Sequence, residues 1–504
     1  MEVEPGIVTR VESEPRTSRL GWLGDATDMP WVVGGLTFIV ALLGVVGSLL
    51  GLAALDVWAA AILFLLLGFA WVPLSQRIAR VDGQPWLAQT LVAAFLVKMA
   101  ASMLRLFVFV VVYDGDGDAG MYHQAGTVFA RRFRDGVPIH PIPVIENYPR
   151  ETHWIGDITG TLYTVTSPSI YAGFILFSFL CLIGLVLIFR GACRAVPEID
   201  RKRLAHLVLF LPSLLFWPSS IGKEAVMVLC LGLVSYGAGF LLAPRPRISG
   251  LGYFAGGLVV AAFIRPHIAL MSVSAIIVAV AVGALFAGGR FDRAASGGSL
   301  RTRAIRTVAL VGLALLASIA TTRFDERFGS GGDTEAAETS ALETTLQGTS
   351  IGGSAFAPIV IRGPRDIPLG TLSVVFRPLP WEARSITSLI AAVETLVLLV
   401  ISLASLRRIV RLRTLYLRRP FLVFASVFVL TFAVGFSYVA NFGILARQRT
   451  QMMPMVLVLM SLTIASPPRR GWLGAAPGGK TRQAGIVEEG ELTSTQQVGE
   501  KVDV

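Results

Sequence analysis

The sequence predicts an all-α polytopic membrane protein with about twelve membrane-embedded helices. Of its 504 residues, 54% are hydrophobic and only 15% are charged, whereas about 25% of a typical soluble globular chain is charged. Apolar runs of about 20 residues, long enough to cross a hydrocarbon core as helices, recur along the chain. Such runs keep their backbone hydrogen bonds within one segment, which lipid requires.

Twelve apolar segments form a membrane region, 31–466, between two polar tails. The N-terminal tail, 1–30, lacks the pattern of a removable signal peptide. The C-terminal tail, 467–504, is rich in Gly, Glu and Thr and is predicted to be disordered. The segments are 31–53, 57–75, 86–112, 168–190, 204–221, 224–243, 251–264, 267–288, 304–321, 386–404, 421–440 and 450–466. The fifth to eighth are expected to form two tight hairpins, although 251–288 could instead be one long kinked helix.

Basic residues predict the orientation of these segments, because cytoplasmic loops are enriched in Lys and Arg. With twelve alternating segments, the basic short loops all fall on one side. Both termini are then cytoplasmic, and two large loops, 113–167 and 322–385, are extracytoplasmic. The net charge of +11 is thus explained by topology and not by nucleic-acid binding. The basic loop residues are Arg77, Arg80, Arg190, Arg194, Arg201, Lys202, Arg203, Arg245, Arg247, Arg290, Arg293, Arg301, Arg303, Arg306, Arg407, Arg408, Arg411, Arg413, Arg418 and Arg419.

An acidic motif opens the first large loop. Asp114, Asp116 and Asp118 alternate with glycines directly after the third segment. Such a cluster can supply a general base, hold a cationic group or bind a divalent cation, and His123 is an alternative base. The plain alternative is an acidic surface turn, because Asp and Gly are common turn residues.

Two further turns on the same predicted side place charges at helix ends. Lys223 and Glu224 begin the sixth segment, and Arg265 and His267 lie between the seventh and eighth. Charged groups this close to hydrocarbon are costly and commonly functional. The alternatives are that Lys223 and Glu224 pair with each other at the interface, and that His267 is structural.

Arginines also lie at the other predicted extracytoplasmic entries. Arg377 and Glu382 flank a Pro- and Trp-rich return to the membrane, while Arg447 and Arg449 break the positive-inside pattern. Such arginines suggest an anionic ligand such as a lipid phosphate or pyrophosphate, with plain headgroup contact as the alternative. The same two alternatives apply to Arg131, Arg132 and Arg134.

Three charges lie inside apolar segments. Lys98 and Arg105 are seven residues apart and share a face of the third segment, and Glu394 lies within the tenth. Because buried membrane charges normally pair inside the bundle, we expect Glu394 to pair with Arg105 or Lys98.

Four short motifs carry a resemblance to a known group of proteins. Segments 118–123 (DAGMYH), 212–224 (PSLLFWPSSIGKE), 376–382 (FRPLPWE) and 441–449 (NFGILARQR) resemble bacterial envelope proteins grouped with oligosaccharide-unit polymerases of the Wzy and EpsG type. The acidic motif is similar to that of GT-C glycosyltransferases, which use polyprenyl-phosphate sugars. Here it follows the third segment instead of the first, which favours the polymerase-like branch.

The resemblance implies a multi-pass glycosyltransferase or polymerase of the bacterial inner or plasma membrane. It would transfer sugar from a polyprenyl-phosphate or pyrophosphate donor to an envelope glycan acceptor on the extracytoplasmic face. An Asp, first Asp116 or Asp118, would deprotonate the acceptor, with Asp114, His123 and His267 as alternatives. Cations would neutralise the leaving phosphate, and these are Lys223, Arg265, Arg377, Arg447 and Arg449. Supporting residues are Glu224, Glu382, Arg105 and Glu394.

No cofactor is certain from the sequence, and a divalent cation on Asp114, Asp116 and Asp118 stays open. Nucleotide sugars are not expected as donors, because they stay on the cytoplasmic side of the membrane. The alternative function is a transporter or flippase of lipid-linked glycans, for which broken helices and intramembrane charges are typical. A purely structural envelope scaffold explains the charged turns less well.

Overall fold

The described part of the chain is α-helical. The computed structural model describes residues 29–138, 153–286, 345–350, 354–384, 386–411 and 413–463. Within these ranges there is no β-strand, only isolated bridges that join Ile199 to Leu462 and Ala355 to Asn441. The predicted segment 304–321, nearly all of the N-terminal tail and the whole C-terminal tail lie outside the described residues.

The helices follow the predicted apolar runs, with several interruptions. They are α1 (Met29–Leu49), α2 (Ala54–Val81), α3 (Trp86–Val111), α4 (Asp118–Arg134), α5 (His153–Thr166), α6 (Ile170–Ala195), α7 (Arg201–Phe210), α8 (Pro212–Phe216), α9 (Lys223–Leu241), α10 (Ser249–Ile264), α11 (Pro266–Phe286), α12 (Ile367–Phe376), α13 (Ile386–Arg411), α14 (Arg413–Arg418), α15 (Pro420–Phe436), α16 (Phe442–Arg449) and α17 (Met453–Met460), with a 3₁₀ turn at Pro380–Glu382. Among the described residues, seven helices are long and apolar enough to cross a membrane, namely α1, α2, α3, α6, α9, α11 and α13. The protein is therefore a helical membrane protein.

The fifth predicted segment, 204–221, returns along the bundle as two short helices. Helices α6 and α9 run parallel, because residues later in α6 contact residues later in α9. These contacts are Gly173 with Ile221, Gly184 with Val228 and Gly191 with Ser235. The chain between α6 and α9 must therefore travel back along the bundle. It does so through α7 and α8, which Pro212 separates because proline lacks the N–H that a continuous helix requires.

Three other elements differ from a simple alternation of long helices. The described part of the predicted region 251–288 forms two helices and not one kinked helix, because the backbone of Arg265 leaves the helical region at φ −145° and ψ 83°. The last predicted segment, 450–466, contains only the eight-residue helix α17 among its described residues. The second large loop contains an apolar helix, α12, which packs against α13 and α15. The first large loop contains the helix pair α4 and α5.

The bundle has a basic end and an opposite end that contains the acidic motif. At the basic end, Arg190 pairs with Asp82 at 2.8 Å and Arg419 pairs with Glu198 at 2.7 Å. These arginines belong to the basic set that predicts the orientation. Glu224 lies in the first turn of α9, and the parallel packing of α6 and α9 therefore places it at the end away from Arg190.

Backbone contact between α6 and α9 depends on glycine. A Cβ at Gly184 would lie 2.4 Å from the carbonyl oxygen of Val228, and one at Gly232 would lie 2.5 Å from the carbonyl oxygen of Gly184. Small residues that allow such approach are typical of helix interfaces in membranes, where dispersion contacts replace the hydrophobic effect between helices. This contact fixes the start of α9, and with it Glu224.

The substitution Gly184→Ala is expected to destabilise the protein by about 1–3 kcal/mol, because the added methyl group forces two backbones apart. Gly256→Ala on α10 is the matched control, since a Cβ there meets nothing within 4 Å. The control is expected to be neutral or slightly stabilising, because Ala is the better helix former. Thermal unfolding in detergent measures both, and equal melting temperatures would contradict the close-packing argument.

Candidate functional site

A buried carboxylate, Glu224, connects charges from separate elements. Its side chain is 3% exposed. Oε1 accepts a hydrogen bond from Nη2 of Arg265 at 2.8 Å, and Nε of Arg447 lies 2.8 Å from the same oxygen. Nη2 of Arg447 donates to Oε2 at 3.1 Å. Because Arg265 lies at the α10–α11 break and Arg447 lies on α16, Glu224 joins three regions that are far apart in the chain.

The network continues from Arg447 to the acidic motif. Nη2 of Arg447 donates to Oδ2 of Asp118, the first residue of α4. Carboxylates in the first turn of a helix are favoured by its dipole, which applies to Asp118 on α4 and to Glu224 on α9. Glu224, and then Asp118, raise the pKa of Arg447 above its ordinary value. Arg265 also donates to the side-chain oxygen of Gln448, so four charged groups and one amide form a single cluster. It is buried at Glu224 and Arg265 and partly exposed at Arg447 and Asp118.

A cavity of about 340 Å³ opens beside this cluster. Two cations, Arg105 and Arg447, and two carboxylates, Asp116 and Asp118, lie on its wall. The rest of the lining consists mainly of Phe109, Tyr113, Trp217, Ser220, Ile221, Asn441, Gly443 and Ile444. The cavity therefore combines two cations, two carboxylates and an apolar side. The exposed side chains of Tyr113 and Ile444 lie at its edge.

Arg105 is held by aromatic rings and not by a carboxylate. Its guanidinium carbon lies 5.0 Å from the ring centre of Phe216, 5.4 Å from that of Trp217 and 5.8 Å from that of Tyr113. Its Nε and Nη1 atoms are buried and have no hydrogen-bond acceptor within the described ranges. Cation–π contact stabilises the charge without using N–H donors. Arg105 lines the cavity and therefore contributes a positive charge that no described carboxylate binds directly.

The acidic motif forms a tight turn that separates its three carboxylates. Asp114 and Gly115 adopt left-handed backbone angles, φ 52° and φ 71°, which Asp and Gly tolerate best. Asp116 and Asp118 line the cavity, whereas Asp114 is exposed and is not among the lining residues. Within the part of the chain that is described, no group of three His, Cys, Asp or Glu residues is arranged to hold a metal ion.

The two histidine candidates are not among the residues that line the cavity. His123 faces inward between α4 and α5, with Nδ1 2.8 Å from the hydroxyl of Tyr163. Burial lowers the pKa of His123, so the ring is neutral at physiological pH. Burial also raises the pKa of Tyr163 well above its ordinary value, so its hydroxyl stays protonated. His267 lies against Phe436, with ring centres 5.9 Å apart.

Several predicted phosphate-binding residues lie elsewhere. Arg377 pairs with Glu382, with Nε 2.8 Å from Oε1, and lines a separate cleft. Arg449 is 1% exposed and donates to the carbonyl oxygens of Val375 at 3.0 Å and Arg377 at 2.8 Å. It thus satisfies carbonyl groups that the end of α12 leaves unpaired.

Four other predicted phosphate ligands are also outside the cavity lining. Lys223 begins α9 but is not among the lining residues. Arg134 donates to the backbone oxygen of Tyr163 at 2.7 Å, which holds α4 against α5. Arg131 and Arg132 are also absent from the lining. Of the predicted cations, the cavity gathers Arg447 and Arg105, with Arg265 behind them.

The predicted pairing of Glu394 with Lys98 or Arg105 is wrong, because backbone groups of α8 bind Glu394 and Lys98 instead. The backbone N–H of Ser213, in the first turn of α8, donates to Oε2 of Glu394 at 2.6 Å. Nζ of Lys98 donates to the carbonyl oxygens of Leu214 at 2.7 Å and Leu215 at 3.2 Å. An anion thus lies at the start of this short helix and a cation near its end, where each complements the exposed backbone groups.

The aromatic partners of Arg105 were not predicted as functional residues. Phe216 and Trp217 follow the α7–α8 break, and their signal in the sequence is an aromatic pair between two prolines, Pro212 and Pro218. That signal has little specificity, because interfacial aromatic residues are common in membrane proteins. Only the tertiary structure places the two rings over a cation.

Comparison with known proteins provides no relative for this chain. No protein-family model, curated protein or solved structure matches it. The functional argument therefore depends on the charges, distances and cavities of the described residues.

Removing the charge of Glu224 is expected to destabilise the protein strongly. Glu224→Gln leaves the buried Arg265 without its counter-ion and removes one of the two carboxylates that bind Arg447, and breaking a buried pair in this way costs about 3–5 kcal/mol. The control is Asp82→Asn, because the side chain of Asp82 is 23% exposed and that of Glu224 is 3% exposed, with an expected cost of about 0–1 kcal/mol. Thermal unfolding in detergent compares them. Equal losses would contradict the central role of Glu224.

Stability is expected to fall as the pH drops below about 6.5, partly because of His123. Its pKa is lower in the folded protein than in the unfolded chain, so protons bind preferentially to the unfolded chain as the pH falls. The loss is complete at pH values below the folded-state pKa. His123→Gln keeps a polar partner for Tyr163 but does not titrate. Its melting temperature should therefore decrease less than that of the wild type between about pH 7 and about pH 5. Identical slopes would contradict this assignment.

Proposed function

We propose that the protein is an integral membrane glycosyltransferase or polymerase. It transfers sugar from a polyprenyl-phosphate or pyrophosphate donor to an envelope glycan acceptor. The observation that carries this proposal is the single cavity in which Arg105 and Arg447 face Asp116 and Asp118. Transfer of a sugar away from a phosphate needs cations for the leaving group and a carboxylate for the acceptor proton, and this cavity contains both.

The donor phosphate is expected to bind between Arg105 and Arg447. Arg105 contributes a positive charge to the cavity wall, and Arg447 can form bidentate bonds to a phosphate through its guanidinium. The apolar edge at Tyr113 and Ile444 suits the first units of a polyprenyl chain. As the bond between the anomeric carbon and the phosphate oxygen breaks, its electron pair stays on the phosphate. The two guanidinium groups stabilise this growing negative charge.

The acceptor hydroxyl is expected to lose its proton to Asp116 or Asp118 as it attacks the anomeric carbon. Asp116 is exposed at the mouth of the cavity. Asp118 is held by Arg447, and a donor phosphate on Arg447 would compete for the same N–H group. Binding of the donor thereby loosens Asp118 from Arg447 and leaves its carboxylate open to the acceptor. Asp118 would thus become available as a base when the donor is present, whereas Asp116 is accessible without it.

We place this cavity on the extracytoplasmic face of the membrane. It lies at the end of the bundle opposite Arg190 and Arg419, two members of the basic set, and basic residues favour the cytoplasmic side. That face suits lipid-linked donors, whose headgroups are presented at the membrane surface.

The transport alternative draws less support from the described residues. A transporter typically uses charges near the middle of the membrane to bind its substrate. Here Lys98 and Glu394 already bind the backbone of α8. These intramembrane charges therefore stabilise a broken helix, and the charged groups that face a cavity lie at the end of the bundle.

Replacing the cavity carboxylates is expected to abolish transfer without unfolding the protein. Asp118→Asn or Asp116→Asn should lower the rate by about 10²–10⁴-fold for whichever residue accepts the proton. Arg105→Gln should lower it by about 10²–10³-fold. Asp114→Asn is the matched control, because Asp114 is exposed outside the cavity lining. The measurement is mass spectrometry of envelope glycans and lipid-linked intermediates in a deletion strain complemented with each variant.

The deletion strain should accumulate an undersized glycan together with its polyprenyl-linked donor, and Asp114→Asn should restore the normal profile. A second assay measures transfer of labelled sugar by purified protein in detergent. A detergent micelle does not separate two compartments, so an enzyme can act in it but the activity of a flippase cannot be detected. Restoration by all three cavity variants would exclude this cavity as the catalytic site. An unchanged deletion profile, with no transfer in detergent, would reject the enzyme.

A further inference from the structure

A second cleft, of about 250 Å³, lies beside the start of α16. Its wall includes Phe356, Arg377, Trp381, Glu382, Arg384 and Phe442. The proposed transfer reaction uses none of these residues. The cleft therefore needs an explanation of its own, and its side chains have two distinct features.

The first feature is a set of flat aromatic surfaces. The rings of Phe356 and Phe442 stack with centres 3.9 Å apart and an interplanar angle of 1°. Arg377 lies over this pair, 4.5 Å from the ring centre of Phe356. Trp381, on the same wall, is 78% exposed. An aromatic ring offers a large, rigid apolar surface at low cost in side-chain entropy.

The second feature is a fixed polar group. Nε and Nη2 of Arg377 donate to Glu382, and Nη1 donates to the carbonyl oxygen of Ala357 at 2.9 Å. A guanidinium has five N–H donors, so donors remain after these contacts. Burial opposes the charge of Glu382, but the hydrogen bonds from Arg377 and from the N–H of Leu379, together with the charge of Arg377, outweigh it and lower the pKa of this carboxyl. The cleft thus presents hydrogen-bond donors and acceptors in fixed positions, with the charge of Arg377 already compensated.

The cleft adjoins the catalytic cavity. Residues 354–356 pair with 440–442, where the N–H of Phe442 donates to the oxygen of Ser354 at 3.0 Å and that of Phe356 to the oxygen of Ala440 at 2.9 Å. Phe442 lines the cleft, while its neighbours Asn441 and Gly443 line the cavity. Because adjacent residues line the cleft and the cavity, a ligand that extends out of the cleft can place its end in the cavity.

We propose that this cleft binds sugar rings of the glycan acceptor, and the role as acceptor rests on the proposed function. A sugar ring has an apolar face of C–H groups, which packs on an aromatic surface such as Trp381. It also has a rim of hydroxyls, which bind fixed donors and acceptors such as Arg377 and Glu382. An anionic headgroup is the poorer match, because Glu382 already neutralises Arg377 and only Arg384 is left on this wall to bind it. The predicted role of Arg377 as a ligand of the donor phosphate is thereby replaced.

Trp381→Ala tests this inference, because an exposed side chain can be truncated without creating a cavity. The probe is envelope glycan of the host strain, released by mild acid, separated by size and labelled with a fluorophore at its reducing end. Fluorescence anisotropy with purified protein in detergent measures its binding. Trp381→Ala should weaken binding by about tenfold or more, and Arg384→Ala should weaken it less. The matched control is Trp58→Ala on α2, where Trp58 is 66% exposed, and it should bind as the wild type does.

A transfer assay provides the second readout. Trp381→Ala should raise the KM for the acceptor and leave both the kcat and the KM for the donor unchanged. Equal glycan binding by Trp381→Ala and Trp58→Ala would overturn the inference. So would a wild type that does not bind the glycan, since Trp381 would then be an interfacial anchor. Binding that depends on Trp381, without any transfer activity, would leave the cleft intact and reject the proposed transferase.

Discussion

The structure depends on one buried carboxylate that needs two cations. Glu224 is almost completely buried at the start of α9, and an isolated charge there would be prohibitively costly. Arg265 and Arg447 supply the compensation, the first from the break between α10 and α11 and the second from α16. The α10–α11 turn and α16 must therefore meet the start of α9. Asp118 then compensates the second charge of Arg447, which brings α4 to the same point.

A second constraint acts deeper in the bundle. The segment between α6 and α9 returns along the bundle but breaks at Pro212, and a break in lipid leaves backbone groups unpaired. Glu394 and Lys98 bind those groups from two sides, one at the start of α8 and one near its end. The short helix that follows the break also shapes the cavity, because Phe216 and Trp217 lie at its C-terminal end. Their rings hold Arg105 without using its N–H donors.

These two constraints together explain how a functional cavity can form at the end of a helical bundle. Compensated charges such as Glu224 with Arg265 provide rigidity. The partly compensated groups, Arg105 and Asp116, face the open space. The start of α16 separates this space from the aromatic cleft. One short helix thus contributes Arg447 to the cavity and Phe442 to the cleft, so the two sites are held in a fixed relation.

The sequence by itself determined the membrane character and most of the long helices, because hydrocarbon requires apolar runs of a minimum length and this signal is local. It also identified Asp118, Glu224, Arg265 and Arg447, since charged residues beside apolar helices are rare. It did not predict α12 in the second large loop, because a ten-residue apolar helix is too short to be distinguished from a loop that returns to the membrane.

Only the tertiary structure decided which charges meet. Glu394 and Lys98 have opposite charges inside apolar segments and were expected to pair, yet backbone groups of α8 bind both, and no local pattern reveals that competition. Arg377 and Arg449 resemble Arg447 in the sequence, but the first binds Glu382 and the second binds the end of α12. Arg447 is 329 residues from its partner Asp118 in the sequence, and Arg449 is 72 residues from its partner Arg377. Such contacts depend on the packing of the whole bundle, which residue type and local spacing do not encode.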